Sequence, residues 1–178
     1  MPGAAGGADS GQEGFTPAQV LEGIDRFLRY AGYEVLPPSL LNGVRPDFHA
    51  RRQDGNSTYE VVGLVGQGWG EAPEAIARLA AMKSVLGEAA DYILLFPPVS
   101  EYETIEFLLQ EKGRWYFGLK EQGVTVWLCN PQRETVTNLL GYPRDESFSH
   151  YFVNLARMSF DAYISRRLAP LLQEEEDY

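Results

Sequence analysis

Hydrophobic residues recur at helical spacing over the first patterned part of the chain. The stripe consists of Val20, Leu21, Ile24, Phe27, Leu28 and Ala31. Charged positions flank it, as on an amphipathic helix that buries one face. Thr16, Pro17 and Gln19 form the start signal of a capping box, and Gly32 is a typical stop. The pattern predicts a helix from residue 16 to about residue 30.

The periodicity then changes to that of β-strands. A short strand is predicted at 33–36, before two prolines end it. A hairpin follows, with arms at 44–52 and 58–65 and an Asp-Gly bend between them. The next loop is rich in glycine and contains Trp69. This tryptophan either anchors a partner from an exposed position or folds back onto the core.

Helices and buried strands alternate over the middle of the chain. Pro73 and Gly87 bound a second helix, and the run at 90–96 is typical of a strand buried on both faces. A strand, a helix and a buried strand in this order predict a parallel crossover. Ser100 and Glu103 form a capping box for a third helix, and further helical turns are expected from residue 115 to 123.

The last third of the chain predicts two more strands and a closing helix. The strands lie at 124–129 and 134–140, the second at an edge of the sheet. The helix should run from residue 148 to about 172, with inward residues Phe152, Leu155, Ile164, Leu168 and Leu171. The chain therefore predicts one α/β domain over residues 15–172, with a central mixed sheet flanked by helices. Residues 1–14 and the acidic end at 173–178 are expected to be disordered tails.

Composition and charge narrow the range of partners. The formal net charge is −10, which weakens a nucleic-acid function because phosphate binding favours basic surfaces. The nearest basic cluster is Arg45, Arg51 and Arg52 on the hairpin.

No stretch reaches the roughly 20 apolar residues of a membrane span, and a secretory signal pattern is missing at the start. We therefore expect a cytoplasmic protein. The single Cys129 lies in an apolar run and is expected to be a core residue.

Chemistry is suggested at the hairpin, where side chains alternate between the two faces of the sheet. Asp47 and His49 share one face of the first arm, and Glu60 lies on the return arm. If matching faces pair, Asp47 and Glu60 bring two carboxylates together, which suits a hard cation such as Mg²⁺. His49 is either a base or ligand beside this pair or an ordinary hydrogen-bonded residue. In the alternative interpretation, Asp47 is a carboxylate near the turn that pairs with Arg45 or Arg51, and Glu60 is an exposed strand residue.

These residues resemble the restriction-endonuclease-like, or PD-(D/E)xK, nuclease superfamily. The resemblance consists of Pro46-Asp47, a turn, and then Glu60-Val61-Val62, within an αβββαβ order over about residues 16 to 96. It implies that Asp47 and Glu60 bind the metal. It also implies a catalytic lysine two residues after Glu60, where this chain has Val62. Some members of the superfamily carry that lysine on the following helix, which makes Lys83 the third candidate catalytic residue.

Three functional hypotheses follow. The first is a degenerate nuclease-like domain that acts as a binding or regulatory module, with a protein partner or a second copy of the chain. The second is an active Mg²⁺-dependent nuclease that uses Asp47, Glu60 and Lys83. The third is a plain protein–protein interaction domain. The replacement of the motif lysine by Val62 and the acidic composition favour the first.

Overall fold

Six strands form one mixed sheet at the centre of the domain. The computed structural model describes residues 14–153 and 160–176. The strands are β1 (Glu34–Val35), β2 (Phe48–Asp54), β3 (Ser57–Val65), β4 (Ala90–Phe96), β5 (Val124–Asn130) and β6 (Thr135–Leu140). Their order in the sheet follows the chain, β1-β2-β3-β4-β5-β6. The β3–β4 and β4–β5 pairs are parallel, and the other neighbours are antiparallel.

Within residues 14–153 and 160–176, five α-helices cover the two faces of this sheet. They are α1 (Pro17–Tyr30), α2 (Ala72–Leu86), α3 (Glu101–Leu109), α4 (Arg114–Gln122) and α5 (Phe160–Glu176). The predicted αβββαβ order is present in the first helices and strands of the chain, which are α1, β1, β2, β3, α2 and β4. The predicted α/β class, with a central mixed sheet and a C-terminal helix, is confirmed.

Two apolar clusters pack on opposite faces of the sheet. One contains residues of α1 with alternate residues of the strands, such as Val61, Ile93 and Trp127. The other contains residues of the remaining four helices with the intervening strand positions, such as Val62 and Leu94. Every residue of β4 is buried, as the continuous apolar run predicts for a central parallel strand.

Local signals at the helix starts agree with the structure. Thr16 accepts a hydrogen bond from the Gln19 amide, and the Gln19 side chain accepts one from the Thr16 amide. The hydroxyl of Ser100 accepts from the Glu103 amide at the start of α3. Trp69 folds back onto the core, where its indole N–H donates to Thr104. The exposed-anchor interpretation of this tryptophan is therefore wrong.

The predicted helix over residues 148–172 is wrong in its first half. Glu146–His150 is a 3₁₀-helix, and Phe152 stacks on Phe27 of α1 rather than facing α5. Leu155 lies outside the described residues. The cause is packing: the aromatic residues before residue 153 bury themselves on the α1 face, whereas α5 packs on the opposite face.

The end of this segment and the end of α5 also differ from the prediction. The amide of Val153 donates to the carbonyl of Val136, so the chain contacts the outer edge of β6 at this residue. Ile164 and Leu168 of α5 are buried as expected, but Leu171 is exposed. Over the described residues, 14–153 and 160–176, no helix is both long and apolar enough to cross a membrane.

The first hairpin arm begins later than its sequence pattern predicts. Residues Asn42 and Gly43 have positive φ angles of 55° and 78°, and Leu41 pairs with Val44 in an isolated bridge. This tight turn uses the residues before 45, and β2 starts only at Phe48. Contacts with α2 hold this turn in place, because the side-chain amide of Asn42 donates to the Ala81 carbonyl and to the Ser84 hydroxyl.

Candidate functional site

The register of the β2–β3 hairpin decides how the predicted site residues are arranged. Arg51 lies opposite Glu60, and Phe48 lies opposite Gly63. Asp47 precedes β2, and its amide donates to the Gly63 carbonyl. Asp47 and Glu60 therefore lie towards opposite ends of the hairpin. The sequence pattern predicts that these two carboxylates lie side by side. This prediction is wrong, because the observed strand register does not pair them.

Asp47 is held by backbone contacts at one end of the sheet. It is exposed, and its carboxylate accepts a hydrogen bond of 2.7 Å from the Val65 amide at the end of β3. Glu60 lies opposite Arg51, four residues along β2 from Asp47, which at about 3.3 Å per strand residue corresponds to about 13 Å. A single metal ion with ligand distances near 2 Å cannot bridge such a gap without a large movement of the hairpin.

Glu60 already has a partner on its own face of the sheet. Its carboxylate makes a hydrogen bond with Nε2 of His49, and the histidine is buried. Within the described part of the chain, Nδ1 of His49 has no hydrogen-bond partner. Between the open interpretations of His49, the structure shows the hydrogen-bonded one. Across the sheet Glu60 lies next to Ala90, at the amino end of β4.

Lys83 occupies the same end of the domain as Glu60. Its side chain is mostly covered, and its Nζ donates to the Gln122 carbonyl at 3.0 Å. This carbonyl belongs to the last residue of α4, where a cation is favoured by the helix dipole. Nζ also lies 3.6 Å from the carboxylate of Glu88. Lys83 therefore joins α2 to α4. Glu60 and Lys83 lie around the amino end of β4, whereas Asp47 contacts the last residue of β3.

The described residues also contain no group of three or more His, Cys, Asp or Glu side chains placed to hold a metal ion. The metal and catalytic roles of Asp47, Glu60 and Lys83 stay predictions. For Asp47 and Glu60 to bind one metal ion, the hairpin would need a different arrangement from the one observed.

The three hairpin arginines do not form one basic surface. Arg45 donates to the Pro38 carbonyl, and Arg51 projects on the face of Glu60. Arg52 turns to the other face and forms a bidentate pair with Asp145, with N–O distances of 2.9 and 2.8 Å. The cluster that the sequence suggested is therefore divided between the two sides of the sheet.

Asp145 is the centre of a buried polar network. It is 1% exposed, and besides Arg52 it accepts a hydrogen bond of 2.6 Å from the Tyr33 hydroxyl. It also accepts from the amide and hydroxyl of Ser147, so Asp145 caps the 3₁₀-helix. Burial raises the pKa of Asp145, but the hydrogen bonds from Arg52, Tyr33 and Ser147 outweigh it and hold the pKa below its usual range. This network joins the loop after β6 to the sheet.

A second buried carboxylate supports the same loop. Asp91 accepts a hydrogen bond from the Arg144 amide at 2.7 Å, and it is nearly fully buried. Burial raises the pKa of Asp91, an effect that these backbone contacts reduce without cancelling. The two carboxylates fix neighbouring residues of one loop, which indicates a structural role for both.

A cavity of about 360 Å³ opens where α4, α5 and the β5–β6 pair meet. We call it the α4–α5 pocket. Its apolar walls include Leu119, Val124 and Leu140. Tyr142 lines it with 79% of its surface exposed. This volume lies in the range of small-molecule binding sites, which are mostly apolar with a few polar groups.

Three polar side chains of this pocket form one cluster. The Tyr116 hydroxyl donates to Asp161 at 2.8 Å, and Lys120 Nζ lies 3.4 Å from the same carboxylate. The ammonium also lies 5.0 Å from the centre of the Tyr116 ring. Burial and the bond to Asp161 raise the pKa of Tyr116, and the contact with Tyr116 raises the pKa of Lys120. The raised pKa values keep the Lys120 ammonium charged and the Tyr116 hydroxyl protonated.

The sequence analysis missed both the Asp145 network and the α4–α5 pocket. Tyr116 and Lys120 are spaced i and i+4, so their common helix face could have been noticed. Their partner Asp161 lies 41 residues beyond Lys120 in the chain. Asp145 lies 93 residues beyond Arg52. Pairing over such distances carries no periodic signal.

Comparisons with known proteins add little beyond this description. No protein-family model matches the chain, and no curated protein matches it. Among solved structures, the chain is similar to an XisH family protein from Nostoc punctiforme PCC 73102, with 14% sequence identity. The match covers 67% of this chain and 97% of that one, with a TM-score of 0.47. A likeness of this degree carries no argument about function, and the fold class rests on the elements described above.

Proposed function

We propose that this chain is a binding domain with a nuclease-like α/β fold whose catalytic motif is degenerate. The observation that carries the proposal is the hairpin register. It separates Asp47 from Glu60 by about 13 Å along the strands. A two-carboxylate magnesium site needs its ligands on one ion. A chain that keeps the fold without this arrangement is better suited to binding than to phosphodiester hydrolysis.

The position of the motif lysine supports the same proposal. Val62 is fully buried in the apolar cluster under α2. A lysine there would place an ammonium in the core, where an unpaired charge is costly. Lys83 is engaged with the Gln122 carbonyl and with Glu88. Both features are those of a packed structural region.

An active Mg²⁺-dependent nuclease is the second candidate. One observation favours it: Glu60 and Lys83 lie at the same end of the sheet, around the amino end of β4. Catalysis would then need either a different metal ligand from Asp47 or a rearranged hairpin.

Calorimetric titration of Mg²⁺ and Mn²⁺ into the full chain separates the two candidates. The test variant is Asp47→Ala with Glu60→Ala, and the matched control is Glu22→Ala with Glu74→Ala, two exposed helix carboxylates. We expect no saturable metal binding at millimolar concentration that depends on Asp47 and Glu60, and no cleavage of single- or double-stranded DNA. Saturable binding lost only in the test variant, together with cleavage lost in Lys83→Ala, would refute the binding-domain proposal.

A further inference from the structure

The α4–α5 pocket has the size and the polar groups of a ligand site that neither the motif nor the comparisons indicate. Its volume of about 360 Å³ is enough for one heterocyclic ring system with a sugar-sized substituent. Only a few polar groups converge on it, chiefly Lys120, Asp161 and the Tyr116 hydroxyl. The rest of the wall is largely apolar. Such a pocket selects ligands that are mostly apolar and carry polar groups on one side.

The charges at the pocket balance. Lys120 contributes one positive charge and Asp161 one negative charge, with 3.4 Å between Nζ and the nearest carboxylate oxygen. Lys83 Nζ, near Gly123 at the rim, is in turn paired with Glu88. An anionic ligand would meet the Asp161 carboxylate, and a cationic ligand would meet the Lys120 ammonium. A neutral ligand avoids the electrostatic repulsion in both cases.

Lys120 and Asp161 also define which hydrogen-bonding groups the ligand needs. The ammonium only donates, and the ionised carboxylate only accepts. The Tyr116 hydroxyl already donates a hydrogen bond to Asp161 and holds this carboxylate in place. A ligand edge with an acceptor next to a donor would satisfy Lys120 and Asp161 together. A lactam or amidine edge of a planar heterocycle has this pattern.

Tyr142 supplies an aromatic surface at the mouth of the pocket. Its exposed fraction, 79%, shows that the protein core does not use this ring. It follows Gly141, whose φ of +85° and close approach to Val124 and Thr125 set the turn at the end of β6. Base-like rings stack on such tyrosines. The ring therefore favours a planar ligand over a branched aliphatic one.

From these observations we propose that the α4–α5 pocket binds a neutral planar heterocycle of the nucleobase class. Its carbonyl accepts from Lys120, its ring N–H donates to Asp161, and its face packs on Tyr142. This inference rests on the proposed function in one respect, since it names the ligand class of a binding domain. The base can come from a free nucleoside or from an unpaired position of single-stranded RNA. The net charge of −10 favours the free nucleoside.

Uridine is the probe, titrated into ¹⁵N-labelled full-length protein and followed by amide NMR shifts. We expect saturable shifts centred on Gly123, Val124 and Gly141. A ligand control is 3-methyluridine, which keeps the ring but lacks the N–H donor, and it should bind about 10-fold more weakly. Hexauridylate identifies the source: tighter binding at this pocket assigns the base to single-stranded RNA, and weaker binding assigns it to free nucleoside.

Protein variants complete the test. Tyr142→Ala should weaken uridine binding about 10-fold, whereas Tyr102→Ala, which removes a tyrosine of matched exposure (75%) on α3, should leave it unchanged. Asp161→Asn keeps an acceptor for Tyr116 but should abolish the preference for uridine over 3-methyluridine. No saturable shift with uridine, or equal affinity for uridine and 3-methyluridine in the wild-type protein, would overturn the assignment. A failure of uridine binding would not change the outcome of the metal-binding and cleavage test. Likewise, nuclease activity would not change the measured affinity for uridine.

Discussion

Substitution of Asp145 by Asn tests whether the buried network stabilises the fold. The change removes the negative charge but keeps an amide oxygen of similar size, so the cap on Ser147 can persist. The bidentate pair with Arg52 cannot, because one of the two acceptor oxygens becomes an NH₂ group. The Tyr33 hydroxyl, now 2.6 Å from the carboxylate, loses a charged acceptor as well.

The expected loss follows from the burial of both partners. Removing one partner of a buried ion pair costs about 3–5 kcal/mol, since the other charge is left uncompensated. Arg52 keeps 16% of its side chain exposed and lies 4.6 Å from the centre of the Tyr59 ring, so water and the ring retain part of its stabilisation. We therefore expect the lower end, a loss of about 3 kcal/mol in the free energy of unfolding. The midpoint of thermal unfolding should fall by roughly 6–12 °C.

Urea unfolding followed by circular dichroism measures this loss, and Asp54→Asn is the matched control. Asp54 also faces Arg52, at 3.6 Å, but it is exposed, so its removal should change the free energy of unfolding by less than about 0.5 kcal/mol. A loss below about 1 kcal/mol for Asp145→Asn, or equal losses for both variants, would refute the reasoning.

The same pair of proteins gives a pH dependence with a defined sign. The pKa of Asp145 is lower in the folded state than in the unfolded chain. Its stabilisation is therefore complete above the unfolded value of about 3.9 and is lost as pH falls through the lower folded value. The stability difference between wild type and Asp145→Asn should be constant from pH 7 to about pH 5 and should shrink below about pH 4. A difference that grows on acidification would contradict this sign.

Three further predictions use other parts of the core. A Cβ on Gly63 would lie 2.1 Å from the Phe48 ring, so Gly63→Ala should cost about 2 kcal/mol in urea unfolding, whereas Gly68→Ala, with open space, should be neutral. Burial raises the pKa of the Cys129 thiol to about 11, so Ellman's reagent at pH 8 should modify the native protein at least ~100-fold more slowly than the urea-unfolded chain. Burial also raises the pKa of Asp91, so its ionisation costs stability as pH rises past about 4, and Asp91→Asn should be more stable than wild type at pH 7 but not at pH 3.

Each of these three has a result that would count against it. Equal effects of the two glycine variants would mean that the Phe48 ring moves aside easily. Rapid modification of Cys129 in the native protein would mean that its surroundings open without global unfolding. Lower stability of Asp91→Asn at both pH values would mean that the contact with the Arg144 amide outweighs the cost of burial.

The local elements of the fold could be predicted because their signals are local. The capping box at Thr16, the Asp-Gly bend and the apolar run of β4 each depend on residues close in sequence. The segment before α5 could not be predicted, because Phe148 and Phe152 have helical spacing with the later apolar residues. Their burial is decided by contacts with α1 and Trp127 on the other face of the sheet.

For the candidate site, the sequence predicted the faces of the strands correctly but not their register. Alternation placed His49 on one face of the first arm and Glu60 on one face of the return arm, and in the structure these faces match and the two residues are joined. The distance along the hairpin depended on the length of the turn: Asp54 pairs with Ser57, and this pairing places Glu60 opposite Arg51 rather than near Asp47. A pattern of alternating residues carries no information about that length.

The contact of Val153 with the outer edge of β6 bears on how copies of this domain can associate. Exposed strand edges are templates for intermolecular pairing and for aggregation. Here the Val136 carbonyl on β6 is occupied by Val153, and at the opposite edge β1 is only two residues long. One edge is therefore partly occupied and the other is short, and both features reduce the backbone available for edge-to-edge extension of the sheet. We expect contacts between copies of the chain to involve helices or loops more readily than strand edges.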